Sequence, residues 1–186
     1  MSFQKGEQVI TPQAVMCFSY LTSPDDKGKF RAELVFAEGT DIAGMQAASD
    51  AVSKLAFPGK KTKSGVLTGE RITTSGEPHD SAEGVIRPWS KAKPDGECGI
   101  VFRHIKDVRQ KLSADEARKL FYDGCIVRAS VTPFSYDNDG NKGVSWFLNE
   151  ILFVDDGNRI GGSDAASAFA DACGIEEEDV VDSLLS

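Results

Sequence analysis

The sequence predicts a mainly β chain with short helices, an α+β fold, on three observations. Five runs have strand character, near residues 14–21, 29–37, 99–106, 125–136 and 144–154. The last two flank Asp137-Asn138-Asp139-Gly140-Asn141-Lys142-Gly143, a cluster that favours turns and positive φ, so they read as one long β-hairpin. Helical signals are few and short.

In chain order, Ala14–Leu21 (AVMCFSYL) is apolar enough for a buried strand, and the turn cluster Ser23 to Gly28 follows. Lys29–Ala37 alternates, with Phe30, Ala32, Leu34 and Phe36 on one face and Arg31, Glu33 and Val35 on the other. Thr40 or Asp41 can cap a helix through about Leu55, in which Ile42, Met45, Val52 and Leu55 recur at near-helical spacing. Phe57-Pro58-Gly59 should end it, and Lys60, Lys61 and Lys63 then form a basic loop. Residues 64 to 98 are rich in Gly, Ser, Thr and Pro and have weak periodicity, but they place Trp89 among Arg87, Lys91 and Lys93. Such a Trp suits base stacking or plugs a core edge; the residues alone fit both. Gly99–Lys106 is a further strand. Ser113-Ala114-Asp115-Glu116 has the S-x-x-E capping-box pattern, so a short helix runs to about Tyr122. Ser163–Cys173 reads as a weak Ala-rich helix, with Gly174 as its C-cap.

The hairpin shows the clearest functional pattern. In its first strand Val127, Ala129 and Val131 alternate with Arg128, Ser130, Thr132, Phe134 and Tyr136. One face can enter a core while the other shows a cation, hydroxyls and two rings, which suits stacked bases and a phosphate backbone. The same pattern fits a barrel end closed by Phe134 and Tyr136. Trp146 and Phe147 are adjacent, so they point to opposite faces and at most one can stack.

Charge is unevenly spread. The 186 residues carry a net charge of −8, but seven carboxylates and no Lys or Arg lie from Asp164 onward. Removing those seven charges leaves the first 163 residues near −1. From Arg87 to Lys111 there are seven cations against three acids. The chain therefore reads as a nearly neutral domain, 1–162, with a local basic excess, followed by an acidic tail, 163–186.

Other classes are disfavoured. No apolar run reaches the ~18 residues that span a bilayer, and the first twelve residues lack a signal-peptide pattern, so a cytoplasmic location is expected. Cys17, Cys98, Cys125 and Cys173 are widely spaced, as are His79 and His104, so no metal and no cofactor are expected. Gly59-Lys60-Lys61-Thr62 suggests a phosphate-binding loop, but that motif needs Gly where Lys54 stands and a buried strand before it. Asp137, Asp139 and Asn141 open like a calcium loop without its later Gly and Glu at the required offsets. No catalytic constellation is present, so an enzyme is not expected.

The stretch Asp123-Gly124-Cys125-Ile126-Val127-Arg128-Ala129-Ser130-Val131 resembles a family of phage single-stranded DNA-binding proteins. The likeness continues through Tyr136, Asn141-Lys142-Gly143-Val144, Leu148-Asn149 and Gly161-Gly162, and more weakly through Cys17–Tyr20 and Phe30–Leu34. Residues 60 to 98 match poorly. The resemblance implies a five-stranded OB-fold barrel with an inserted helix, single-stranded DNA as ligand and an acidic carboxyl tail. The chain departs from the family in ending Leu184-Leu185-Ser186 rather than on an aromatic residue.

The expected nucleic-acid contacts are Arg31, Lys60, Lys61, Lys63, Arg87, Trp89, Lys91, Lys93, Arg103, Arg128, Phe134, Tyr136, Lys142 and Trp146. Glu176, Glu177, Glu178, Asp179 and Asp182 are the candidate partner-binding residues, facing the DNA groove in cis or a phage polymerase, helicase or recombinase. The leading expectation is a coating protein for replication and recombination. A strand-annealing mediator or protein-docking OB module is the alternative, and a homodimer stays open.

Overall fold

The computed structural model describes residues 3–72 and 78–160. Within them eight strands form one sheet: β1 (Val9–Ile10), β2 (Ala14–Tyr20), β3 (Lys29–Ala37), β4 (Ala82–Ile86), β5 (Trp89–Lys91), β6 (Val101–His104), β7 (Ile126–Asn138) and β8 (Asn141–Asp155). Two helices accompany it, α1 (Ala43–Ala56) and α2 (Ala114–Leu120). β7 pairs with β2 on one edge and β8 on the other, while β2, β3, β5 and β8 are joined in that order. The sheet thus closes on itself as a five-strand ring, the expected OB barrel, and closure removes the open edges that a flat sheet would expose. β1 extends the ring along β7, β4 along β3 and β6 along β8.

The hairpin is the longest element, with strands of 13 and 15 residues. Its turn is the pair Asp139-Gly140, both at positive φ (50° and 87°), which matches the right-handed twist of the strands. The Asp137 carboxylate accepts a bond from the Gly140 amide at 3.1 Å. Two register shifts interrupt the ladder. Ser130 opposes Glu150 and Val131 opposes Leu148, so Asn149 is an extra residue; Val154 is another, near the strand end. A one-residue bulge reverses which positions face inward. Trp146 and Leu148 are therefore buried before the Asn149 bulge, and Ile151 and Phe153 after it.

The core combines these side chains with Met16, Phe30, Leu34, Phe36, Val127 and Val131. α1 packs over β7 and β8, and the segment before β1 passes between Val52 and Pro133 so tightly that a Cβ at Gly6 would meet them at 2.7 and 2.8 Å. Its cap position is Ile42, with the Asp41 carboxylate accepting from the Ala43 amide at 3.0 Å. Leu55, expected on the apolar face, is exposed; the helix ends at Ala56, and Phe57 is buried in its stead. α2 carries the expected capping box of Ser113 and Glu116. Those bonds from Ser113 to the Glu116 carboxylate hold its pKa below the usual range.

A second apolar cluster forms where Cys17, Val35 and Val85 meet Leu67, Ile72 and Ile160. Burial pushes the Cys17 thiol up to about 12 and the Cys125 thiol up to about 11, so both are protonated and inert at neutral pH. Strands β4 and β5 lie within residues 64 to 98, where the sequence shows only weak periodicity. They have five and three residues and take their shape from pairing with β3 and β8. The expected helix 163–173, its Gly174 cap and the acidic tail lie outside the described residues. Among the described residues no helix is long and apolar enough to cross a membrane.

Candidate nucleic-acid interface

The barrel register lines up one outward row across four strands. Tyr20 of β2 opposes Arg31 of β3, Arg31 opposes Trp89 of β5, and Trp89 opposes Phe147 of β8. Side chains directly opposite each other point the same way, so the row is continuous. Three strand spacings make it about 14 Å long. Trp89 and Phe147 meet edge to face at 5.4 Å, and Phe134 stacks on Phe147 with centroids 3.9 Å apart and planes 19° apart. Trp89 also touches Phe134 edge to face at 5.7 Å, and its indole N–H donates to the Ser145 hydroxyl at 3.3 Å.

Cations lie over these rings. The Lys29 ammonium is 3.9 Å from the Trp89 ring centre, the Arg31 guanidinium 4.7 Å from Tyr20, and the Lys5 ammonium 5.9 Å from Phe147. Each is a favourable cation–π arrangement; those of Lys29 and Lys5 leave the ammonium available to a passing phosphate, while Arg31 also gives Nε to Asp25. Tyr20, Lys29, Arg31, Arg87 and Trp89 line a cleft of about 370 Å³. Asp25 shapes its rim: its carboxylate accepts from the Lys27 and Lys29 amides and from Arg31 Nε, all at 2.9 Å. Those bonds, that of Lys29 foremost, hold the Asp25 pKa below the ordinary carboxylate range. The buried Glu33 carboxylate also lines the cleft and accepts from Arg87 Nε with one oxygen while the other meets His79 Nε2.

Toward the hairpin turn, Phe3, Phe57, Phe134 and Tyr136 line a second hollow of about 350 Å³. Tyr136 lies over Gly143, where a Cβ would come within 2.6 Å of the phenol oxygen, so only glycine fits. Lys142 pairs with Asp137 at 3.2 Å and thereby lowers the Asp137 pKa. The Lys63 backbone clamps the same strand, donating to the Lys142 carbonyl and accepting from the Val144 amide, both at 3.0 Å. Lys60 and Lys61 stand exposed on the same loop.

Of the residues expected from sequence, Arg31, Arg87 and Trp89 share one surface, and Tyr136, Lys142 and Lys63 continue it. Phe134 is corrected: it is 6% exposed, packed against Phe3, Trp89 and Phe147, so it supports the outward rings rather than receiving a base. Lys91 opposes Lys29 and is exposed. Lys93 instead faces Glu97 at 3.9 Å beside a separate hollow with Leu21, Phe30 and Leu112. Arg103 is tied to Glu150 at 2.8 Å and to the Val108 carbonyl at 2.8 Å. Arg128 donates to the Thr11 carbonyl at 2.9 Å, and it lies six positions before Phe134, about 20 Å along the strand. Trp146 is corrected outright. It is 1% exposed, with its N–H donated to the Gly65 carbonyl at 2.8 Å, so its ring cannot receive a base. Its neighbour Phe147 occupies the outward place. Phe147, Lys29 and Tyr20 are the additions that structure makes. The alternation Val144, Trp146, Leu148 against Ser145, Phe147, Asn149 carried the signal for the first.

A closed OB-type barrel with rings and cations across one open face defines a nucleic-acid-binding class of fold. The family described as Enterobacter phage Enc34, ssDNA-binding protein, matches residues 26–181, and the chain belongs to that family. Among solved structures it is similar to the single-stranded DNA-binding protein from bacteriophage Enc34 in complex with ssDNA. The TM-score is 0.67 at 18% identity, covering 83% of this chain and 89% of that one. It is also similar to gp2.5, a single-stranded DNA-binding protein encoded by bacteriophage T7, with a TM-score of 0.57 at 12% identity over 88% of this chain and 94% of that one. Protein p50 of Acyrthosiphon pisum secondary endosymbiont phage 1 is 40% identical over 72 residues, 38% of each chain.

Proposed function

We propose that this chain is a non-enzymatic, sequence-tolerant single-stranded DNA-binding protein that coats exposed strands during phage replication and recombination. The row Tyr20–Arg31–Trp89–Phe147 carries the proposal, because it offers π-faces for bases and charges for phosphates without a base-reading pattern of donors. Membership of the Enc34 family and the likeness to a relative solved with ssDNA support the same reading. In this reading Lys29, Arg31 and Arg87 follow phosphates, while Trp89 and Phe147 stack bases at about 1–3 kcal/mol each. The seven tail carboxylates occupy the cationic cleft when DNA is absent and recruit a polymerase, helicase or recombinase when DNA displaces them.

Intrinsic fluorescence tests the proposal, because Trp146 is sealed in the core and only Trp89 can report on a ligand. Titration with oligothymidylate should quench the emission, with an affinity that falls as salt rises, and Trp89→Phe should abolish the quench. Unchanged emission at low salt, with no binding by an independent method, overturns it.

A further inference from the structure

β2 does not run straight into its turn. Cys17 opposes Glu33 and Tyr20 opposes Arg31, so Phe18 and Ser19 together face the single residue Ala32. Phe18 takes φ 45°, a conformation that disfavours a bulky side chain. The bulge is pinned from beneath: the Ser19 amide and hydroxyl both donate to the Asp123 carboxylate, at 3.0 and 2.6 Å. Its effect is to turn two rings outward, leaving Phe18 48% and Tyr20 42% exposed. Core packing gains nothing from an exposed ring on an unfavourable backbone. Strain of this kind, kept without a packing return, marks ligand sites.

The surroundings name the ligand. The Phe18 ring lies 6.1 Å from the His79 imidazole, which meets the Glu33 carboxylate that also holds Arg87. Tyr20 lies under Arg31. Tyr20 thus has a guanidinium over its ring, as Trp89 has the Lys29 ammonium, while Phe18 is linked to the Arg87 guanidinium through His79 and Glu33. We propose that Phe18 and Tyr20 form a second base-stacking platform, at the end of the four-strand row opposite Phe147, that takes unpaired nucleobases of the strand held by Trp89. This rests on the single-strand reading of the cleft, and Phe18 carries the track past Tyr20, where the four-strand row ends.

The test uses the full chain and oligothymidylates of increasing length, with Trp89 emission as readout. Glycine adopts positive φ freely, so Phe18→Gly removes the ring while relaxing the backbone. Its melting temperature should hold or rise, while its affinity for long oligomers falls about 5- to 100-fold and that for the shortest quenching oligomer stays unchanged. In a Phe18→Trp, Trp89→Phe protein, long oligomers should quench the new indole. Native affinity of Phe18→Gly at every length, or an equal loss at every length, overturns the second platform while the native Trp89 quench stands. Absence of that quench in the native protein removes both readings together.

Discussion

The two ends of the hairpin's outward surface are built from the same strands yet present opposite chemistry. Near the turn, Phe134 and Phe147 stack on each other, and Lys5 and Lys29 lie over rings. At the far end Arg128 opposes Leu152, and Arg103 is bound to Glu150, with Ile10 and Val108 alongside. Both ends carry positive charge. What separates them is where each charge is spent. Arg103 donates from Nε and both terminal nitrogens to Glu150 and the Val108 carbonyl, which leaves little for a phosphate, whereas Arg31 gives Asp25 one bond from Nε and Lys29 and Lys5 lie over rings.

That contrast yields three expectations. The largest concerns the rings. Phe147→Ala should weaken oligothymidylate binding by about 1–3 kcal/mol. Leu152→Ala, outward on the same strand, should change affinity by less than about 2-fold. Equal losses in a fluorescence titration would erase the distinction between the ends. The next concerns the cations: Lys29→Ala should reduce the log–log salt slope of binding by about 0.7, while Arg103→Ala leaves the slope unchanged. Measuring affinity across a salt series decides it.

The smallest effect is on proton binding. Asp25 and Glu150 both titrate below the usual carboxylate range in the folded protein, Asp25 chiefly through the Lys29 amide and Glu150 chiefly through Arg103. A depressed folded pKa adds stability that is fully present above the unfolded value and is lost as pH falls through the folded one. Carboxyl NMR titration should show Arg103→Ala raising the Glu150 midpoint strongly. Arg31→Ala should raise that of Asp25 only slightly, because the backbone bonds persist. A large rise at Asp25 would mean that Arg31 is spent as fully as Arg103.

Much of this was readable from the chain alone where local pattern and final environment agree. The alternation at Lys29–Ala37, the Asp139-Gly140 turn and the Ser113 capping box each have their cause within a few residues. β4 and β5 had no such cause, since their pairing partners lie on β3 and β8. The site was half visible for the same reason. Trp89 stood out as a ring among Arg87, Lys91 and Lys93, but the partners that tie up Arg103 and Arg128 lie 47 and 117 positions away. Placing Trp146 inside and Phe147 outside required knowing which side of β8 meets the core, and the Asn149 bulge reverses that side midway.

The short stretch Asp123-Gly124 holds two parts of the chain in place. Asp123 anchors the Phe18 bulge, and a Cβ at Gly124 would sit 1.8 Å from the Asn158 carbonyl oxygen, where the chain leaves the barrel. The pair is thus a rule of assembly, written where two segments must cross without colliding. A homologue could retain it intact while exchanging every ring on the open face, so ligand preference has to be judged at Tyr20, Trp89 and Phe147.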